Sequence, residues 1–427
     1  MHDDLPRPSA SADIDGDAFA AFLANCASPV PNDIVHTSRT LLSGRGWHRA
    51  VRAAVTQVSL RDRCVTLRHY QLPEDEPYRD LSDEDLMAAY RDAVLRNLAT
   101  HAVGPSAVEL SGGIDSTIVA VGLESVALGG GHFGVSLVYP YYEFRHERRY
   151  IDAVNERLRW TPTLVDGSRT LLFDPAAFAF DTAEPTRLSS GYAQLAAVTA
   201  AALARGAKVL FNGHGADQIF GMSPYDRQSL FKSRIELDLL YGPLSAQVRD
   251  HIAEMRRVHE DGDPRGHRHF FSALMLYDRW VPAPDGEQLD CAPVLLSVDT
   301  LRLSWEALRR PPWRDSGYPA KRFAREAFAA WLPQPVRERR WKVGYDGLYR
   351  RGLARNADRL IARLEHNRDH LETLGIDTRR CIQRLERCKT FHFDHMELLI
   401  GILSYCVWRD TRTRTEPLSD AGDAARS

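Results

Sequence analysis

The chain has 427 residues, of which 44% are hydrophobic and 26% charged, and its formal net charge is -2. This composition is typical of a multidomain globular protein, and it excludes a dedicated nucleic-acid binder, because no excess of Lys and Arg can neutralise phosphates. No apolar run approaches the ~20 residues that cross a membrane, and no signal peptide opens the chain. The six cysteines are scattered, so we expect free thiols in the cytoplasm. From the charge and the lack of a long apolar run, we expect neither nucleic acid nor a membrane as partner.

Within the N-terminal region, residues 1–80, we expect loose segments up to about residue 35, whereas the pattern of residues 37–72 favours short strands. We expect one short helix at residues 18–24, and two segments, 53–60 and 64–70, alternate as the strands of a hairpin do. After an acidic linker, Ser82 is placed to cap a helix with an acidic first turn and one apolar face. The sequence therefore predicts a boundary near residue 81.

Beyond that helix, strands and helices alternate. The predicted order is strand 107–110, helix 114–126, strand 133–139, helix 147–158, strand 163–165, helix 191–203 and strand 208–211. This alternation predicts an α/β fold, a parallel twisted sheet with helices on both faces and a ligand at the C-terminal strand ends. The remainder is predicted as mainly helical, with helices at 245–259, 268–280, 298–308, 320–331, 353–372, 378–388 and 393–408.

The stretch Leu110-Ser111-Gly112-Gly113-Ile114-Asp115-Ser116-Thr117 follows the first of these strands and starts the next helix. Glycines let a backbone approach an anion closely, and the free N–H groups of a first helical turn point at it, so this is a predicted phosphate loop. Asp115 would repel phosphate, unless it holds a divalent cation that bridges to the phosphates. The loop lacks the lysine of a Walker A motif.

A second loop, Gly213-His214-Gly215-Ala216-Asp217, follows strand 208–211. If the two strands are neighbours, Asp115 and Asp217 face each other and supply two carboxylates to a Mg²⁺ shell. His214 lies between two glycines, where its imidazole could act as a general base or could only hydrogen-bond a substrate or a carbonyl group.

A basic segment at residues 332–345 is set off by prolines and ends at Lys342-Val343-Gly344. Most basic clusters are solvated faces. This one could instead lie over a polyanionic ligand, where a lysine would stabilise developing negative charge.

These three motifs in this order resemble the synthetase domain of the asparagine synthetase family, an ATP pyrophosphatase fold that includes β-lactam synthetase and lasso-peptide cyclases. The resemblance covers residues 81–345 and, more weakly, the helices to residue 408, and the segment Pro293-Val294-Leu295-Leu296 adds to it. It implies ATP and Mg²⁺ as cofactors and carboxylate adenylation, in which pyrophosphate leaves, an amine attacks the acyl-adenylate and AMP leaves.

The resemblance also implies roles for individual residues. Lys342 matches the lysine that stabilises charge during acyl transfer, and His214 falls where β-lactam synthetase has the Tyr of a Tyr–Glu dyad, which favours a base or a substrate-orienting group. The remaining assignments place pyrophosphate on Ser111, Gly112, Gly113 and Ser116, the nucleoside on Leu110, Val135 and Gly213, and Mg²⁺ on Asp115 and Asp217.

Two departures from the family narrow the expected substrate. Glutamine-dependent relatives start with a catalytic Cys, but His2 stands here, no Cys precedes Cys26, and the region before residue 81 is too short for a glutaminase domain. The family also has a Glu four residues before the proline that corresponds to Pro293. Leu289 stands at that position here, and the nearby acids Glu287 and Asp290 are out of register. We therefore expect a glutamine-independent ligase without the Tyr–Glu dyad.

The sequence thus predicts a glutaminase-like remnant at 1–80, a synthetase domain at 81–410 and a flexible tail at 411–427. The expected activity is AMP-forming amide synthesis, foremost lasso-peptide macrolactam cyclisation of a precursor peptide. The alternatives are a β-lactam-type or other small-molecule synthetase, an ATP-binding regulatory protein without ligase activity, and a thiolation or tRNA-modifying pyrophosphatase. A leader-binding protein and a protease are candidate partners.

Overall fold

The structure is a computed structural model, and it describes only part of the chain. The described residues are 19–20, 22–24, 54–61, 64–71, 78–102, 104–126, 130–140, 146–174, 191–214, 216, 220, 237–260, 289–292, 294–314, 321–340, 346–393 and 396–413.

Five parallel strands form the central sheet. In chain order they are β3 (Ser106–Glu109), β4 (Phe133–Val138), β5 (Thr163–Asp166), β6 (Val209–Phe211) and β7 (Asp290–Ala292). Their order across the sheet is β5-β4-β3-β6-β7, so β3 and β6 are neighbours, with Val108 paired to Phe211. The chain leaves β3 toward one edge of the sheet and β6 toward the other, which makes their C-terminal ends a topological switch point.

The predicted parallel α/β sheet is confirmed, and β7 is a strand that the sequence analysis missed. It has three residues, which is too short for a periodic pattern to show. The predicted hairpin is also present, as β1 (Ala54–Arg61) and β2 (Cys64–Gln71) pair antiparallel in a separate sheet.

Besides the short helix at residues 19–24, five helices precede β7 in the described part of the chain, and eight more described helices follow it. The first group comprises α1 (Asp83–His101), α2 (Ile114–Val126), α3 (Arg148–Leu158), α4 (Tyr192–Ala204) and α5 (Gly242–Glu260). The second comprises α6 (Val298–Arg309), α7 (Pro311–Arg314), α8 (Arg322–Ala327), α9 (Gln334–Arg337), α10 (Asp346–His366), α11 (Arg368–Thr373), α12 (Thr378–Lys389) and α13 (Glu397–Thr413).

Local side-chain chemistry explains where several helices begin and end. Ser82 caps α1 as expected, since its hydroxyl accepts a hydrogen bond from the backbone N–H of Asp85 at 3.1 Å. The predicted helix at 353–372 is interrupted at Asn367, whose amide donates to the Arg363 carbonyl and to Asp410 at 3.0 Å each and so competes with helical backbone bonding. The predicted helix at 320–331 is shorter and ends at Ala327. The predicted helix at 268–280 lies outside the described residues.

Successive β3 residues point to opposite faces of the sheet, as strand geometry requires. Val108 packs into a core shared with α1, α2, α6 and α8, whereas Ala107 packs on the other face with Val198 and Ala202 of α4. A third core joins α5 and the C-terminal helices with Phe19, whose ring lies 4.6 Å from that of Tyr405. The short helix expected at 18–24 is therefore present at its described residues and is packed against α13.

Three cysteines in the described C-terminal helices, Cys381, Cys388 and Cys406, are buried free thiols, which agrees with the expectation. Helix α13 continues to Thr413, two residues past the start of the predicted tail. None of the helices in the described parts of the chain is long and apolar enough to cross a membrane.

His132 makes folding stability dependent on pH. It is buried, and its two ring nitrogens have no hydrogen-bond partner. Burial lowers the pKa of His132 below its ordinary value of 6.5, although the charge of Glu124 partly opposes the change. The unfolded chain therefore binds a proton more readily than the folded one, and stability falls as the pH drops through about 6.5.

We expect His132→Phe to lose less stability than the wild type when the pH is lowered from 8 to 5.5, because the buried imidazole that resists protonation is gone. Thermal unfolding at a series of pH values measures this, with His392→Phe, at an exposed position, as the matched control. An equally steep loss in His132→Phe and wild type would show that another group governs acid sensitivity.

Candidate active site at the ends of β3 and β6

The turn between β3 and α2 is held by a network of its own hydroxyl groups. The Ser116 hydroxyl accepts from the Ser111 backbone N–H at 3.2 Å and donates to the Gly113 carbonyl at 3.2 Å, and the Thr117 hydroxyl donates to the same carbonyl at 2.7 Å. Gly112 adopts a left-handed φ of 68°, and a Cβ there would lie 2.8 Å from the Ile151 backbone nitrogen. Only glycine fits this turn, because both its backbone angle and the space around it exclude a side chain.

Asp115 lies in the first turn of α2, and Lys321 contacts it. The Lys321 ammonium group bonds to Oδ2 of Asp115, although the two residues are 206 positions apart in the chain. The other oxygen, Oδ1, is buried and has no hydrogen-bond partner. A buried carboxylate oxygen with no partner raises the free energy of the folded state. Coordination of a divalent cation by this oxygen would remove that penalty.

Lys321 is buried and has a left-handed backbone, with φ at 64°, immediately before α8. This conformation is unfavourable for a non-glycine residue and is retained where surrounding structure or function requires it. Here it accompanies a side chain directed at the start of α2, so that a positive charge lies at the strand ends.

The second loop packs against the first through backbone. A Cβ on Gly213 would lie 2.7 Å from the Ser116 nitrogen and 2.8 Å from the Asp115 carbonyl carbon. The loop is also fixed at its base, since Asn212 is buried, its side-chain oxygen accepts from the His214 N–H at 3.1 Å, and its own N–H bonds to the Ala292 carbonyl. The two strand-end loops therefore form one continuous surface.

A contact between an imidazole and a carboxylate spans the two loops. Nε2 of His214 lies 3.5 Å from Oε2 of Glu109, the last residue of β3, and each side chain is about one-quarter exposed. Because β3 and β6 are hydrogen-bonded neighbours, residues just beyond their ends are close although far apart in sequence. His214 thus combines solvent access with a carboxylate neighbour, which is a common setting for a general base.

The basic segment reaches the glycine turn through Arg339. This buried side chain donates to the Gly112 carbonyl at 3.1 Å and to Glu147 at 2.5 Å, and its guanidinium lies 4.3 Å from the centre of the Tyr150 ring. Arg339 therefore fixes the turn through its hydrogen bond to the Gly112 carbonyl.

The structure brings together most of the sequence-predicted residues. The turn and the start of α2 contain five of them, and the sixth packs against these residues: Ser111, Gly112, Gly113, Asp115, Ser116 and, from the second loop, Gly213. Beside the turn, the Leu110 N–H donates to the Val135 carbonyl at 2.8 Å. Asp217 and Lys342 lie outside the described residues, so their assigned roles stay predictions. Within the described residues no group of three or more His, Cys, Asp and Glu could hold a metal ion.

Sequence reasoning missed three residues of this site. Glu109 had a usable signal, a charged residue inside the apolar strand Ala107-Val108-Glu109-Leu110. Arg339 was recognised only as one of several adjacent basic residues, and nothing in the pattern says which of them turns inward. Lys321 had no signal, because its contact with Asp115 depends on how a distant helix packs.

The parallel sheet with its glycine-rich turn at the switch point and a helical C-terminal part defines an ATP-pyrophosphatase-like α/β fold. Residues 86–290 match the family model described as asparagine synthase, from α1 to the first residue of β7, and so include both strand-end loops. This match supports the asparagine synthetase family, a family of ATP-dependent ligases that form amide bonds. The chain matched no curated protein sequence.

We expect Gly213→Ala to destabilise the protein by about 1–3 kcal/mol, the usual cost of overpacking, because the new methyl group would press on the backbone of α2. The matched control is Gly242→Ala, where an added Cβ meets nothing within 4 Å. Chemical denaturation of both variants measures the difference. Equal stability of the two would mean that the loops are not packed as closely as described.

Proposed function

We propose that this protein forms an amide bond by adenylating a carboxylate, with release of pyrophosphate and then AMP, and without using glutamine. The observation that supports it most is the Asp115–Lys321 contact beside the glycine turn. This contact places a positive charge, and a carboxylate oxygen that has no hydrogen-bond partner, next to the backbone N–H and hydroxyl groups of the turn between β3 and α2. Such a site suits a polyanionic leaving group better than a single transferred phosphoryl group.

The turn would hold the β- and γ-phosphates of ATP. The backbone N–H groups at the start of α2 and the Ser111 hydroxyl would donate to phosphate oxygens. The Ser116 hydroxyl would join them by releasing the Gly113 carbonyl. A Mg²⁺ ion on Asp115 would neutralise the charge that builds up on the departing pyrophosphate. Lys321 would add a second positive charge from the opposite side.

Two assigned residues complete this proposal although they lie outside the described residues. Asp217 would be a second Mg²⁺ ligand, since it follows Gly213 in the loop that packs on α2. Lys342 would stabilise negative charge during acyl transfer, and Arg339, three residues earlier, already contacts the glycine turn. The nucleoside would contact Leu110, Val135 and Gly213.

Within this chemistry we propose a peptide substrate, in which the adenylated Asp or Glu side chain is attacked by the peptide's own N-terminal amine to close a macrolactam. A leader-binding protein and a protease would be its natural partners. A β-lactam-type or other small-molecule synthetase is the alternative. A regulatory protein would bind ATP in the same site without consuming it.

The test is incubation with ATP, Mg²⁺ and a panel of carboxylic acids. The panel includes L-aspartate, L-glutamate, and synthetic peptides with Gly or Ala first and Asp or Glu about seven to nine residues later. Pyrophosphate and AMP are expected in equal amounts, together with a peptide that has lost one water. ADP as product would contradict adenylation. ATP binding without any product from the panel would favour the regulatory alternative.

Asp115→Asn keeps the shape of the side chain but removes its charge, and we expect pyrophosphate release to fall by about 100-fold or more. Because this variant leaves the buried Lys321 ammonium without its carboxylate, the double variant Asp115→Asn/Lys321→Met serves as the folded control. Thermal unfolding checks that it folds. Full activity in either variant would exclude Asp115 from the site.

Lys342→Ala should slow amide formation by about 100-fold or more while MgATP binding, measured by calorimetry, is unchanged. Lys208→Ala is the matched control, because Lys208 is exposed at the opposite, N-terminal end of β6. Equal turnover in the two variants would show that Lys342 takes no part in acyl transfer.

A further inference from the structure

The Glu109–His214 pair is the feature that the proposed adenylation does not yet use. The two side chains come from different strands, and Nε2 of His214 lies 3.5 Å from Oε2 of Glu109. Neither residue is in the glycine turn, and each remains partly open to solvent.

The position of the pair is set by the backbone. Glu109 is fixed as the last residue of β3, one residue before Leu110, whose N–H bonds to β4. His214 is fixed by Asn212, which accepts from its N–H, and by the contact of Gly213 with the start of α2. The imidazole and the carboxylate are therefore held close to each other by their own backbone positions.

A carboxylate beside one imidazole nitrogen has two effects on the ring. It selects the tautomer with hydrogen on that nitrogen, so that the other nitrogen carries the lone pair. It also stabilises the imidazolium that forms when the lone pair accepts a proton. Both effects make a histidine a better proton acceptor.

Amide formation needs such an acceptor. An N-terminal amine is largely protonated near neutral pH, and once its nitrogen has attacked the acyl-adenylate it must lose a proton. The family resemblance would place the acid of the dyad four residues before Pro293. Leu289 stands at that position, and it is a buried apolar residue. Glu109 supplies a carboxylate from the neighbouring strand instead.

We propose that Glu109 positions His214, through the carboxylate oxygen that lies 3.5 Å from Nε2, as the proton acceptor of the amide-forming step. This inference rests on the proposed function. The amine nitrogen forms a bond to the carbonyl carbon, the carbon–oxygen bond to AMP breaks, and the proton leaves the nitrogen for Nδ1 of His214. Glu109 holds the hydrogen on Nε2 and acts only through His214.

The kinetic test compares two nucleophiles on the same activated carboxylate. The probes are synthetic peptides with Gly first and Glu eight residues later, one with a free N-terminal amine and one acetylated and supplied with hydroxylamine. Hydroxylamine is unprotonated at neutral pH, so its attack depends less on a base. Glu109→Gln should lower macrolactam formation at least tenfold while hydroxamate formation and the KM for ATP change less than twofold.

Two variants show whether Glu109 acts through His214. Glu109→Gln should cause no further loss in a His214→Asn background, because both substitutions disable one unit. Glu365→Gln is the matched control, since it removes a carboxylate from a surface ion pair with Arg368 and should leave both products unchanged.

A substrate-free measurement tests the pair itself. Nitrogen-15 spectra of labelled histidine, with the His214 signal assigned from His214→Asn, should show hydrogen on Nε2 in the wild type and a mixture of tautomers in Glu109→Gln. The proposal is overturned if the tautomer is unchanged, if both nucleophiles slow equally, or if only the KM for ATP rises. If wild type forms neither hydroxamate nor macrolactam, the proposed function fails, and the spectra still decide whether the pair exists.

Discussion

The contact between Lys321 and Asp115 joins the C-terminal part of the protein to the turn at the end of the first central strand. Asp115 belongs to the helix that follows the first central strand, and Lys321 precedes a helix of the C-terminal part. A buried ammonium and a buried carboxylate each require a partner of opposite charge, because desolvation of an isolated charge costs several kcal/mol. The packing of the C-terminal helices and the geometry of the turn between β3 and α2 therefore depend on each other.

The sheet explains why charged groups from distant segments gather here. In a parallel sheet the loops that follow neighbouring strands emerge at the same edge, and at the switch point no crossover helix covers them. Gly112 and Gly213 bring the backbones of these loops into contact with neighbouring elements, where a side chain would not fit. Arg339 supports the turn from the other side.

Much of this arrangement could be predicted from the sequence, because it depends on local patterns. Alternating apolar strands and helices predicted the parallel sheet, and the glycines after Leu110 predicted the turn between β3 and α2. Long-range contacts could not be predicted in the same way. Lys321 reaches Asp115 through the packing of helices, and the acid beside His214 proved to be Glu109, whose proximity depends on the register between β3 and β6. Strand β7 was missed because three residues carry no readable period.

The central claim, that the carboxylate attacks the α-phosphate of ATP, is tested most directly by following its oxygen atoms. A substrate from the panel is labelled with oxygen-18 in both carboxylate oxygens, and the products are examined by mass spectrometry. Adenylation followed by amide formation predicts AMP that carries one oxygen-18 atom and pyrophosphate that carries none. Oxygen-18 in inorganic phosphate, with ADP as the nucleotide product, would show attack at the γ-phosphate and contradict the account.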